Sequence, residues 1–267
     1  MVSVGGGLRR LSYNGRDVLL GYGEHELCHA GLGQLLIPWP NRIADGRYTF
    51  AGAEHRLALT EPARLNASHG LTRWSVWDRS ADSTFSHRLH GQPGYPYQLD
   101  LHAAYDLDES GVTVTVTATN IGDADAPYGF GAHPYLTVGR RVDECELTFT
   151  AAQRLDVDPD RLLPLGLIDA TGSFSTPRLV GDLEIDNAFT GLPSPWTVAL
   201  ADPGSGRTTS LTSDTPWMQI YTGEALDRAG LAVEPMTCAP NAFATGTDLI
   251  VLSPGGTHTT SFTITAS

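Results

Sequence analysis

Several side chains that can transfer protons stand beside Gly or Pro in this chain, and three of them lie in short segments that are candidates for a site. His69 is followed by Gly, whereas His133 and Glu234 are each followed by Pro. Histidine and glutamate are common general acids and bases near neutral pH, where one can hold a proton while the other is ionised. Each residue also fits a purely structural role. His69 could form a turn, His133 could end a strand, and Glu234 could be a buried carboxylate or a solvated strand end. Singly, none of the three establishes a site.

A second group has the residue types of a zinc site. His25, Cys28 and His29 lie close together, and the two histidines would share one face if the segment were helical. No CxxC or HExxH motif completes a set of four ligands. His87 and His90 stand three apart in an apparent strand and so point to opposite faces. We therefore predict no metal site.

The chain contains no lysine, because all 17 of its basic residues are arginine. A Schiff base with a carbonyl substrate or with pyridoxal phosphate is thus excluded, and so is a P-loop. No GxGxxG opens a helix, no GxSxG elbow is present, and no cysteine stands in a recognisable catalytic motif. Any chemistry is predicted to need no cofactor.

The elements that position these residues are predicted to be strands. Val112, Val114 and Val116 alternate with threonines, the pattern of a half-buried strand. Similar alternation occurs at 85–89, 99–105, 147–150, 196–201 and 262–264. Clusters of Gly, Pro, Asn and Asp separate these runs, and the one helical candidate, 21–30, is weak. The pattern predicts a single all-β domain over residues 1–267, an antiparallel sandwich or barrel.

Composition limits the partners. Hydrophobic residues make up 41% of the chain, and no apolar run is long enough to span a bilayer. The charge of −13 argues against nucleic acid and anionic membranes as partners and favours a neutral ligand. The chain has an odd number of cysteines, and the three are far apart: Cys28, Cys145 and Cys238. This pattern indicates reduced thiols rather than disulfides. With no secretory signal after Met1, a cytoplasmic location is expected.

Six segments, read in order, resemble the aldose 1-epimerase (galactose mutarotase) family over nearly the whole chain. They are 38–48 (PWPNRIADGRY), 66–70 (NASHG), 127–135 (PYGFGAHPY), 185–189 (IDNAF), 219–223 (QIYTG) and 233–243 (VEPMTCAPNAF). A single HPY motif is weak evidence for this family, but six segments in the family's order and at comparable spacing are specific evidence. The chain departs from the family pattern at Leu136, because an aromatic residue often follows HPY in the family.

The resemblance implies a large antiparallel β-sandwich of the galactose mutarotase type. It implies an isomerase that interconverts the α and β anomers of a free aldohexose of the galactose or glucose type, without a cofactor. Glu234 matches the family's base, His133 its acid and His69 its second active-site histidine. The matching sugar-binding positions are Arg42, Asp186 and Gln219, with Asn41 beside them. The reaction is expected to need the base and the acid on opposite sides of the hemiacetal.

Other functions remain open from the sequence. A hexose-6-phosphate 1-epimerase on the same fold would need two or more arginines at C6, for which Arg42 and Arg73 are candidates, but no arginine cluster is evident. A non-catalytic sugar-binding protein would have no use for both Glu234 and His133. A glycoside hydrolase would need two carboxylates, and only Glu234 and Asp186 can be nominated. The expected partner is a small sugar, and the expected state a monomer or weak homodimer.

Overall fold

The computed structural model describes residues 1–267 and consists almost entirely of strands. They are β1 (Ser12–Tyr13), β2 (Arg16–Asp17), β3 (Leu35–Leu36), β4 (Arg42–Ala44), β5 (Arg47–Phe50), β6 (Ala53–Arg56), β7 (Asn66–Ser68), β8 (Asp78–Ala81), β9 (Thr84–Leu89), β10 (Leu99–Leu107), β11 (Gly111–Asn120), β12 (Ala126–Tyr128), β13 (Gly131–Ala132), β14 (Tyr135–Leu136), β15 (Glu146–Thr148), β16 (Gln153–Val157), β17 (Pro164–Asp169), β18 (Arg178–Leu179), β19 (Asp186–Thr190), β20 (Trp196–Ala201), β21 (Thr208–Ser213), β22 (Trp217–Tyr221), β23 (Leu231–Met236), β24 (Ile250–Leu252) and β25 (Thr257–Ala266). One short helix, α1 (Ala242–Thr245), and three 3₁₀ turns (Pro62–Arg64, Val142–Glu144, Glu224–Leu226) complete the chain.

Two large sheets form the body of the fold. One has nine strands in the order β18-β15-β20-β21-β25-β11-β10-β9-β8. The other has the order β17-β16-β19-β22-β23-β13-β3, with β14 also pairing with β23. Paired strands in both sheets run antiparallel. The prediction of an all-β, antiparallel sandwich is confirmed.

The core lies between the inner faces of these sheets. Along β11, Val112, Val114 and Val116 are buried while the threonines between them are only partly buried, as the period of two in the sequence predicts. These valines belong to the same buried cluster as Met218 and Ile220 of β22 in the other sheet. Apolar burial between the sheets therefore stabilises the scaffold.

The opposite face of the eight-stranded sheet carries polar residues. In β22, Met218 and Ile220 point into the core, so Gln219 points the other way. Gln219 lies directly opposite Glu234 of β23 and opposite Ala188 of β19. Both polar side chains are nonetheless buried, because the loops that follow β3 and β7 cover this face.

Two segments differ in detail from their sequence patterns. No helix forms over 21–30, where Gly21 and Gly23 disfavour one and the Gly23 N–H donates to the Glu26 carboxylate at 2.7 Å. The strand expected at 147–150 is β15, which ends at Thr148. None of the helices has the length and hydrophobicity that crossing a bilayer requires.

Candidate active site

The seven residues singled out from the sequence line one cavity. Its volume is ≈ 400 Å³, within the range of small-molecule sites. The seven are Asn41, Arg42, His69, His133, Asp186, Gln219 and Glu234. They come from β4, β19, β22 and β23 and from the residues beside β4, β7 and β13, so long-range strand pairing brings them together.

Strand register places His133 against Glu234. β13 and β14 both pair with β23, through Gly131 with Met236 and Tyr135 with Ala232. His133 lies midway between these two pairs and therefore stands opposite Glu234. The two side chains touch, with His133 Nε2 3.3 Å from Glu234 Oε1, and only 6% and 2% of these residues are exposed. His133 Nδ1 and Glu234 Oε2 make no hydrogen bond within the protein.

Burial controls the protonation of this pair. It raises the pKa of Glu234 well above the usual value, and the Asp186 charge adds to the effect. It lowers the pKa of His133 to about 3, and the Arg73 charge acts in the same direction. Because Glu234 resists losing a proton and His133 resists gaining one, the contact retains one proton over a broad pH range. A pair that shares one proton can accept a proton at one atom and release it at another.

His69 lies against His133 rather than against the carboxylate. Their rings meet edge to face with centroids 5.4 Å apart, and His69 Nδ1 has no partner within the protein. Burial and the neighbouring His133 lower the pKa of His69 well below its usual value, so the ring is neutral. His69 has φ +61°, an uncommon conformation for a non-glycine residue that tends to occur at functional sites.

A chain of side-chain hydrogen bonds orients three of the polar groups that line the cavity. Asn41 Nδ2 donates to Gln219 Oε1 at 3.3 Å, and Gln219 Nε2 donates to Asp186 Oδ1 at 2.6 Å. This fixes which end of the Gln219 amide is the donor, and it holds the Asp186 carboxylate in place. Burial raises the pKa of Asp186. Amide and carboxylate groups so arranged suit the hydroxyl groups of a ligand.

Arg42 is held by a carboxylate that the sequence did not single out. Its Nε and Nη2 donate to the two oxygens of Glu61 at 2.8 and 3.2 Å, a bidentate pair. Arg64 also contacts Glu61, at 3.4 Å, and both Glu61 and Arg64 line the cavity. Although burial opposes it, the hydrogen bond from Arg42 lowers the pKa of Glu61. Two positive charges therefore flank one ionised carboxylate.

The cavity contradicts two expectations. An arginine cluster does exist, because Arg42, Arg64 and Arg73 all line the cavity. Sequence reasoning missed it since the three residues belong to different segments. The acid and the base also do not stand apart, because His133 and Glu234 are in direct contact.

The candidate zinc ligands lie elsewhere. His25 and His29 are exposed, whereas Cys28 is buried with its Sγ 3.4 Å from the Leu32 carbonyl. No group of three or more His, Cys, Asp or Glu side chains is arranged to hold a metal ion.

Fold and cavity together define an antiparallel β-sandwich protein with a buried histidine–glutamate pair in a polar pocket. A sequence profile described as aldose 1-epimerase matches residues 1–265. The chain belongs to the aldose 1-epimerase family, whose members act on small sugars, as its sequence motifs predicted.

Individual relatives agree with this assignment. The chain is 38% identical to "Uncharacterized protein YihR" of Escherichia coli, covering 99% of this chain and 88% of that one. It is 26% identical to galactose mutarotase of Sus scrofa, covering 79% and 68%. The fold is similar to that of a GalM/aldose epimerase homologue from C. elegans, with a TM-score of 0.87, 22% identity and coverage of 99% and 94%. It also resembles galactose 1-epimerase from Lactobacillus acidophilus, with a TM-score of 0.84, 20% identity and coverage of 99% and 89%.

Proposed function

We propose that this protein is an aldose 1-epimerase that interconverts the α and β anomers of a free aldohexose of the galactose or glucose type. The observation that carries the proposal is the buried contact of 3.3 Å between His133 and Glu234, in the same cavity as a network suited to hydroxyl groups. Neither a metal nor a cofactor is needed for the proton transfers of this reaction.

The reaction moves one proton from one oxygen to another. The reactive form of the pair is the one in which its single proton lies on His133. In that form the Glu234 carboxylate accepts the proton of the C1 hydroxyl, while His133 donates its proton from Nε2 to the ring oxygen. The bond between C1 and the ring oxygen breaks and its electron pair stays on that oxygen, which gives the open-chain aldehyde. Rotation about C1–C2 and the reverse transfers then close the ring as either anomer. Because both oxygens are bonded to C1, an acid and a base in contact can serve both.

The remaining residues are proposed to hold the sugar. Asp186, Gln219 and Asn41 form one hydrogen-bonded chain, which supports a role in binding hydroxyl groups. Arg42 uses Nε and Nη2 to bind Glu61, so its Nη1 can donate to a hydroxyl. His69 is proposed to orient the sugar and to support charge on the ring oxygen, since it packs against His133.

An unphosphorylated substrate fits the charges better than a hexose 6-phosphate does. A phosphate dianion is usually bound by two or more free cationic or amide donors. Arg42 and Arg64 both engage Glu61, which leaves Arg73 alone without a carboxylate partner. Free aldohexoses are therefore expected to turn over better than their 6-phosphates.

Anomer-resolved NMR exchange, with polarimetry, tests this function. Pure α-glucose and α-galactose should equilibrate with their β anomers much faster in the presence of the protein than in buffer alone. Binding of these sugars without faster equilibration would instead identify a non-catalytic sugar-binding protein. Faster equilibration of the 6-phosphates than of the free sugars would favour a sugar-phosphate epimerase.

We also infer that residues 1–267 act as one catalytic domain, as a monomer or weak homodimer in the cytoplasm. One continuous buried cluster that includes residues from Leu8 to Ile264 supports a single domain. The three cysteines are free and buried, which supports a reducing compartment.

A further inference from the structure

Arg73 carries the one positive charge of the cavity that has no carboxylate partner. It is partly buried and lines the same cavity as His133, whose pKa its charge helps to lower. Arg42 and Arg64 each lie within 4 Å of Glu61, whereas no carboxylate oxygen comes that close to Arg73. A partly buried guanidinium without a counter-ion is costly unless a ligand supplies one.

The charge balance of the cavity differs from that of the protein. The whole chain carries −13, but the cavity is lined by three arginines against two carboxylates, Glu61 and Asp186, outside the His133–Glu234 pair. Charges farther away than roughly 8 Å are largely screened at physiological ionic strength. A bound ligand therefore meets the local positive excess rather than the acidic surface.

Arg73 is held in place by Gln34. Gln34 Oε1 accepts from Arg73 Nε at 2.8 Å, and Gln34 Nε2 donates to the Arg73 carbonyl at 3.0 Å. The Gln34 carbonyl in turn accepts the His133 N–H at 3.0 Å. Gln34 is 2% exposed, so this link is rigid. It fixes Arg73 relative to the residue proposed as the general acid and leaves the outer guanidinium nitrogens for a ligand.

The covalent structure of an aldohexose indicates which group Arg73 meets. The ring oxygen that His133 protonates is bonded to C5, and C5 carries the exocyclic C6. An arginine beside the acid is thus close to the substituent on C6. We propose that Arg73 binds an oxyanion at this position, so that the preferred substrate is an aldose with a single negative charge on C6. This inference rests on the proposed epimerase function and extends it.

A single charge is specified because only one arginine is free. A guanidinium matches a carboxylate or a sulfonate, each of charge −1, through paired N–H donors. A phosphate brings nearly two charges and one arginine compensates only part of them. A sulfonate has the tetrahedral shape of phosphate but half its charge, so comparing the two separates the effect of charge from that of shape.

The test compares four sugars on the intact protein. They are glucose, its 6-carboxylate (glucuronate), 6-deoxy-6-sulfoglucose and glucose 6-phosphate, and kcat/KM for anomer exchange is measured by NMR for each. We expect at least one of the two monoanions to exceed glucose about tenfold or more, as a charge-assisted contact suggests. The identity of the better monoanion tells whether the group is planar or tetrahedral.

The matched variants are Arg73→Gln and Arg64→Gln, two arginines of the same cavity. Arg73→Gln should lower kcat/KM for the preferred monoanion about ten- to hundredfold, mainly through KM, with a much smaller effect on glucose. The ratio of monoanion to glucose should therefore collapse. Arg64→Gln should change both substrates by a similar factor and preserve the ratio.

Several results would overturn the inference. Glucose turning over as well as both monoanions, or an unchanged ratio in Arg73→Gln, would each do so while the proposed epimerase function would stand. A preference for the 6-phosphate would overturn both this inference and the proposal of a free aldohexose as substrate. If no sugar were epimerised, the proposed function would fail, and calorimetric titration of the same four sugars would decide this inference. Binding of a monoanion that is lost in Arg73→Gln would support the inference. Binding of glucose as tight as that of both monoanions would contradict it.

Discussion

Glu234 and His133 are placed where neither can easily carry its usual charge. They are nearly inaccessible to solvent and touch each other, so burial moves their pKa values toward the neutral form of each group. Such an arrangement reduces stability in return for reactivity, a common property of active sites. The contact therefore has consequences for both folding and catalysis.

Replacing Glu234 by Gln should stabilise the fold increasingly as pH rises. The folded pKa of Glu234 is raised, so its contribution to stability is complete below the unfolded value of about 4.5 and is lost as pH rises through the folded value. Gln cannot ionise and avoids that loss. Urea denaturation at pH 5 and pH 8 should give a larger free-energy advantage of Glu234→Gln at pH 8.

The control for this prediction is Glu54→Gln, at an exposed residue paired with Arg56. Its effect should stay within about 0.5 kcal/mol at both pH values. A Glu234→Gln advantage that shrank between pH 5 and pH 8 would show that the carboxylate ionises more readily in the folded protein than burial implies.

The pH profile of kcat/KM should be a broad bell. Activity needs one proton on the pair, so it falls in acid when a second proton binds and in alkali when the only proton leaves. With the pKa of His133 lowered to about 3 and that of Glu234 raised well above its ordinary 4.5, the acid limb should lie below pH 4.5 and the alkaline limb well above it. A narrow bell between the ordinary values of a glutamate and a histidine, 4.5 and 6.5, would indicate unperturbed groups.

At the scale of elements, alternation in the sequence was sufficient to predict strands such as β10 and β11. Their side chains face the core on one side and are partly exposed on the other, and a period of two records that difference. β22 and β23 are harder to predict from alternation in the sequence, because they are buried on both faces. Glu234 was singled out because Pro235 follows it, but the roles of Glu234 and Gln219 were assigned only through family motifs.

Residues that act through side-chain pairing across loops could not be predicted in the same way. Glu61 holds both Arg42 and Arg64, but its local sequence, a glutamate before Pro62, does not indicate that it pairs with either arginine. Tyr135 stacks on His133 with ring centroids 5.0 Å apart, which the HPY motif alone does not indicate. Such contacts depend on tertiary placement of segments far apart in the chain, whereas the pattern of one segment reports only its own burial.

The loop before β3 should be needed to position His133. Gly31 has φ +76°, and a Cβ at this position would lie 3.0 Å from His133 Cδ2. Gly31→Ala should therefore displace the ring and lower kcat about tenfold or more, since small misplacements of catalytic groups are costly. The measurement is kcat by NMR exchange, together with thermal stability.

Gly15→Ala is the matched control. Gly15 has a similar φ of +75°, but a Cβ at this position would have no atom within 4 Å. Both variants should lose roughly 1–2 kcal/mol of stability from backbone strain, and only Gly31→Ala should also lose kcat. Equal kcat in the two variants would mean that Gly31 does not control the histidine.

For the whole molecule, catalysis is expected to require only the chain itself. The absence of lysine excludes Schiff-base chemistry, and proton transfer between two oxygens needs neither an electron carrier nor a Lewis acid. Exhaustive treatment with EDTA followed by dialysis should leave kcat/KM unchanged. Activity that is lost on chelation and recovered with zinc would contradict this expectation and would direct attention back to His25, Cys28 and His29.

The central claim is that the Glu234–His133 pair carries the proton transfers, and Glu234→Gln tests it most directly. Gln preserves size and hydrogen bonding but cannot act as the base. NMR exchange should show kcat lowered by about 10²–10⁴-fold, while calorimetry shows that the sugar still binds. His133→Asn should have a similar effect, and the double variant should be little worse than either single one, because the two residues act as a unit. A folded Glu234→Gln protein that binds sugar and epimerises it at nearly the wild-type rate would contradict the claim.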